Sequence, residues 1–119
     1  MRPALILAAL LGLSAPAAAA TPAAVLAEAR AYAYTAALSL PVAMVNNEGE
    51  AIQDAPCTDA RLVIPMTLKL GRIESCTASV SGPDTYEVRV RFAGGLSLIA
   101  DQNGVRQVES LPAAPQGAP

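Results

Sequence analysis

The chain has 119 residues with 8 basic and 10 acidic side chains, a net charge of −2, and neither His nor Trp. Without histidine, Ser-His-Asp and Cys-His nucleophile systems and histidine-built zinc sites are excluded. A weakly acidic chain with a single lysine, Lys69, is poorly suited to grip a phosphate backbone, so nucleic acid is not an expected partner.

Residues 1–20 read as a cleavable export signal. Arg2 supplies the positive start, residues 4–13 form an apolar run, and Ala18, Ala19 and Ala20 are the small residues a signal peptidase needs. The run is roughly half of what a helix needs to cross a hydrocarbon core, so no integral span is expected in the mature chain. No Cys follows it and no Arg-Arg pair precedes it, which argues against lipid attachment and the twin-arginine route. Removing 20 of the 119 residues leaves 99, with seven basic and ten acidic side chains and a net charge of −3. That is enough for one small domain, placed at residues 21–111. Abundant alanine together with the export signal points to a periplasmic or secreted bacterial product.

Thr21-Pro22 is a helix start, Thr able to cap and Pro suited to the first helical position. Val25, Leu26, Ala29, Tyr32, Ala33, Ala36 and Leu40 recur at helical spacing, with Glu28, Thr35 and Ser39 opposite them. The pattern predicts an amphipathic helix ending at Pro41, which has no amide hydrogen to donate. Asn46 to Glu50, NNEGE, reads as a turn, and residues 51–58 as loop. Residues 61–64 and 67–70 are predicted strands interrupted by Pro65.

Alternation resumes over residues 72–81, where Cys76, Ala78 and Val80 interleave with Thr77 and Ser79. Ser81 to Asp84, SGPD, reverses the chain into its most regular strand, TYEVRVRF, with Tyr86, Val88, Val90 and Phe92 on one side and Glu87, Arg89 and Arg91 on the other. Gly94-Gly95 ends it. Residues 96–100 and 105–109 are predicted strands joined by a hairpin turn at Asp101 to Gly104. Leu98 and Ile99 cannot both face inward on a regular strand, so one is exposed or a bulge intervenes. The tail at residues 112–119, Pro, Ala, Gly and one Gln, has nothing to bury and is expected to be disordered.

YEVRV followed by Gly95, Asp101 and Gly104 resembles the second half of a PepSY module, and the helix-then-meander order is similar to that of pilin-like heads. The spacing from Gly95 to Asp101 is short for the former, and Pro65 stands where that module has a helix. The apolar N-terminus lacks the glutamate of an orthodox pilin. No functional residue is carried over.

Cys57 and Cys76, the chain's two cysteines, are expected to form a disulfide, as fits an exported small domain. The rival, a redox or metal pair, lacks C-x-x-C spacing, and two thiolates without histidine make a poor zinc site. Glu48, Glu50, Asp54 and Asp59 cluster near Cys57 but match no calcium loop, and read as a solvated acidic segment. No glycine-rich phosphate loop is present, and no carboxylate pair stands out for glycoside cleavage. No cofactor, no metal and no catalytic residue are therefore expected. The remaining candidate binding face is a row of arginines, Arg89 and Arg91 with Arg72 and Arg106 on neighbouring strands, diluted by Glu87 and open to pairing with Glu74 or Glu109.

These features predict an α+β domain: one N-terminal amphipathic helix packed on an antiparallel meander of about four or five strands, with one disulfide. The functional expectation is a small exported, non-catalytic protein that binds another protein or an envelope component. The alternatives are an accessory subunit of an envelope or appendage assembly and, last, a small carboxylate-based hydrolase.

Overall fold

The computed structural model describes residues 21–109; the expected export signal and the expected disordered tail lie outside the described residues. Helix α1 (Pro22–Asn46) is followed by β1 (Ile52–Pro56), β2 (Ile73–Gly82), β3 (Thr85–Phe92), β4 (Ser97–Asp101) and β5 (Gly104–Val108). The strands form one antiparallel sheet in chain order, and α1 lies across one face of it. This is the predicted α+β meander, with five strands.

The start of α1 follows from its first two residues: the Thr21 hydroxyl accepts the Ala24 amide at 3.0 Å, and Pro22 opens the first turn. Ala29, Ala33, Ala36, Ala37, Leu40 and Ala43 are buried against the sheet. The helix does not end at Pro41; it runs on to Asn46. Pro41 deprives the Ala37 carbonyl of its usual donor, and one turn back the Ser39 hydroxyl donates to the Ala36 carbonyl at 2.7 Å. Burial of Ala43 and half-burial of Met44 offset the loss. The end comes at Asn47, whose amide reaches the Met44 carbonyl at 3.0 Å. Glu48 (φ 60°) and Gly49 (φ 78°) then reverse the chain in the left-handed region, as NNEGE predicts.

In the sheet, Ala78, Val80, Val88, Val90, Phe92, Leu98 and Ala100 are buried beneath α1. Each Val or Leu buried here contributes roughly 1.5–3 kcal/mol, several times what an alanine methyl can add from the helix side. Leu98 pairs with Val90 and faces the helix, while Ile99 pairs with Arg89 and Arg106 on the open face. The β3–β4 register is unbroken, so the Leu98–Ile99 conflict is settled by turning Ile99, half-buried, to the other face, not by a bulge.

Two segments depart from expectation. Residues 52–56, expected as loop, form edge strand β1. Its alternation is hidden because the register shifts between Ile52 and Ala55, with Asp54 at φ 47°, so two outward residues separate two buried ones. Residues 61–64 and 67–70, expected as strands, are not in the sheet. In the first the alternation is real, Leu62 and Ile64 inward and Val63 outward, while in the second only Leu68 is half-buried; the backbone is tied down by single contacts instead of a neighbouring strand. The Cys57–Cys76 disulfide joins the start of this segment to β2, and both cysteines are buried.

Candidate functional site

Three surfaces can carry function, and the first is the open face of the sheet. Arg89 and Arg91 project from it with alternate residues of β3, and Arg106 joins them on β5, opposite Ile99. Each holds a carboxylate: Arg89 Nε lies 3.1 Å from Glu87, Arg91 Nε 3.3 Å from Glu74 across to β2, and Arg106 Nη1 2.9 Å from Asp101. The hydrogen bond from Arg106 keeps the Asp101 carboxyl below its usual range, against the smaller opposing effect of its partial burial. Arg72 stands just before β2, exposed, and its carbonyl accepts the Ala93 amide at 2.9 Å. The face is thus charge-balanced and not a basic patch, which weakens any long-range pull on an anionic partner.

At one end of that face an open cleft of about 320 Å³ lies among Ser79, Ser81, Thr85, Glu87, Asp101 and Arg106. Its two carboxylates are paired with arginines, Glu87 with Arg89 and Asp101 with Arg106. Of the acidic cluster, Asp54 accepts from the Ser79 hydroxyl at 3.4 Å while its amide donates to the same oxygen at 2.8 Å. Asp59 binds Arg61 through both oxygens, at 3.0 and 2.8 Å, and these hydrogen bonds hold its carboxyl down to about 2. Among the described residues no three acidic, Cys or His side chains are placed to hold a metal ion.

The second surface is the segment from Cys57 to Gly71, which the sequence does not mark as a site. It is fixed at several points. The disulfide holds its start; Leu62 and Ile64 are buried; the Tyr32 hydroxyl donates to the Pro65 carbonyl at 2.6 Å; and the Glu28 carboxylate accepts the Lys69 and Leu70 amides at 2.6 and 2.8 Å. Tyr32 is itself packed edge-on against Phe92, ring centroids 6.2 Å apart, and burial raises its hydroxyl to about 12. Among the side chains that the segment displays, Val63 is 74% exposed and Met66 and Leu70 are exposed as well, alongside Arg61, Thr67 and Lys69. The only signal in the chain is the run Leu62-Val63-Ile64, in which an extended backbone must turn one member outward.

The third surface is the outer side of α1, where Tyr34, Leu38, Val42 and Val45 are exposed. No helix among the described residues is long and apolar enough to cross a membrane. Comparison with protein families, with curated proteins and with solved structures finds no match to this chain.

Proposed function

We propose that the protein is a small exported, non-catalytic interaction module, working in the periplasm or outside the cell and recognising another protein through the segment between Cys57 and Gly71. The observation that carries this is the pairing of rigidity with apolar display. A segment without strand partners is held by a disulfide, a half-buried tyrosine and a helix carboxylate, and with that anchoring it shows Val63, Met66 and Leu70 to solvent. Loops fixed on a rigid scaffold lose little entropy on binding, and exposed apolar side chains are what a partner can bury. The disulfide fits an oxidising compartment, consistent with the export signal read at the N-terminus.

Cross-linking and affinity capture from periplasmic extract test this. Val63→Asp, on a side chain that touches little, is expected to abolish capture of the partner while Arg89→Ser/Arg91→Ser retains it. Capture lost with the arginines and kept with Val63→Asp would return recognition to the open sheet face. A second reading, an accessory subunit of an envelope assembly, draws support from the apolar outer side of α1.

A further inference from the structure

Seven positions of α1 follow a strict alternation of three and four residues: Ala24, Ala27, Ala31, Tyr34, Leu38, Pro41 and Val45. That is the apolar a/d pattern of a coiled coil, sustained over three heptads. None of the seven belongs to the buried set Ala29, Ala33, Ala36, Ala37, Leu40 and Ala43, which faces the sheet on the opposite side. The helix is therefore apolar on both sides, and one side has no partner among the described residues. Tyr34 is 53%, Leu38 48%, Val42 59% and Val45 68% exposed. The two charged side chains that flank the seam are already engaged, Glu28 with the Lys69 and Leu70 amides and Arg30 with the Val105 carbonyl at 3.0 Å.

From this geometry we infer that the seam is covered by a second copy of the same chain, its α1 antiparallel to the first. The sizes along the seam decide the orientation. Its N-terminal half is alanine and its C-terminal half is Tyr34, Leu38, Pro41 and Val45. Parallel pairing would set large residues against large at one end and alanine against alanine at the other, splaying the helices. Antiparallel pairing in the a-to-d register places Tyr34 over Ala31, Leu38 over Ala27 and Pro41 over Ala24 of the other copy, so each of these three meets a smaller alanine, while Val45 lies beyond the start of the facing helix. The arrangement is two-fold symmetric and opposes the two helix dipoles. Among the described residues the sheet lies behind α1 and leaves its outer side uncovered.

Tyr34, Leu38, Val45 and the neighbouring Val42 together expose apolar area on the order of 400 Å² per chain, below the roughly 800 Å² per partner of a standard interface. The dimer is accordingly weak and concentration-dependent. It is separate from partner recognition by the segment at Val63, so the two fail independently.

Sedimentation velocity on the exported protein purified with its disulfide intact, from about 1 μM to about 1 mM, tests the pairing. The mass is expected to rise from one chain to two. Leu38→Glu is expected to remain monomeric with unchanged circular dichroism, and Val63→Asp to dimerise normally. Should Leu38→Glu fail to fold, Leu38→Gln is expected to weaken association at least about tenfold. A mixture of Ala27→Cys and Leu38→Cys is expected to cross-link with a short bis-maleimide, to which disulfide-bonded Cys57 and Cys76 are inert, and Leu38→Cys alone is not. A monomer throughout, with or without binding to phospholipid vesicles, overturns the inference. So does a dimer that survives Leu38→Glu, or equal cross-linking of Leu38→Cys alone, which would mean a parallel pair.

Discussion

Glu28 and Lys69 are 41 residues apart in the chain, and the carboxylate of the first accepts the backbone amide of the second at 2.6 Å. The other oxygen of Glu28 takes the Leu70 amide at 2.8 Å, so one side chain closes the far end of the segment that the disulfide opens. Two strand-like stretches are thereby held outside the sheet.

Removal of that carboxylate is the first prediction. Glu28→Ala leaves two amides without their acceptor, and since the site is partly exposed, water replaces much of what is lost. A destabilisation of about 1 kcal/mol is expected. The sharper readout is local: hydrogen exchange at the Lys69 and Leu70 amides should quicken well beyond that of β3.

Tyr32 gives a pH dependence. Its hydroxyl ionises near 12 in the folded chain, against 10.0 for a free tyrosine, because burial penalises the phenolate. The stabilisation is complete below pH 10, where the hydroxyl is neutral in both states. It declines as pH rises from 10 towards 12, since the unfolded chain gives up the proton first. Alkaline titration followed by phenolate absorbance should show one tyrosine ionising near pH 12, absent in Tyr32→Phe.

Loss of the disulfide should cost about 3 kcal/mol in the chain-entropy picture for a sequence separation of 19. Cys57→Ser/Cys76→Ser, measured by urea unfolding, checks the size. In the native protein neither sulfur should be alkylated without a reductant.

Pro41→Ala should stabilise the protein, by up to about 3 kcal/mol, because it restores an amide donor for the Ala37 carbonyl within a helix that already continues past it. A lower melting temperature for this variant would mean that the ring itself packs better than a methyl can.

Arg89→Ser/Arg91→Ser should leave stability within about 1 kcal/mol of the parent, since both ion pairs are solvent-exposed and screened. Thermal melts at low and high salt should nearly coincide for parent and variant.

The parts of the fold legible in the sequence are those where local rules act alone. Thr21-Pro22 set the helix start, NNEGE the reversal after it, and the strict alternation from Tyr86 to Phe92 the centre of the sheet. Ile52 to Pro56 was hidden because Asp54 adopts a left-handed conformation that puts Ile52 and Ala55 out of phase. Pro41 misled because its penalty is local while the compensating burial of Ala43 is tertiary. Residues 61–70 have the periodicity of strands, and nothing in that periodicity tells that Glu28 and Tyr32 would hold their backbone. The arginine row was legible as a face. Its pairing with Glu74 was legible as well, whereas Arg106 takes Asp101 instead of Glu109, a choice set by the β4–β5 turn.

The alanine lining of α1 has a thermal consequence. Five of its six core-facing side chains are single methyl groups, so opening the helix–sheet interface wets less hydrocarbon per residue than a leucine-packed core would. The heat-capacity increment of unfolding should sit at the low end for a chain of this length, giving a shallow stability curve whose folded population changes gently with cooling as well as warming.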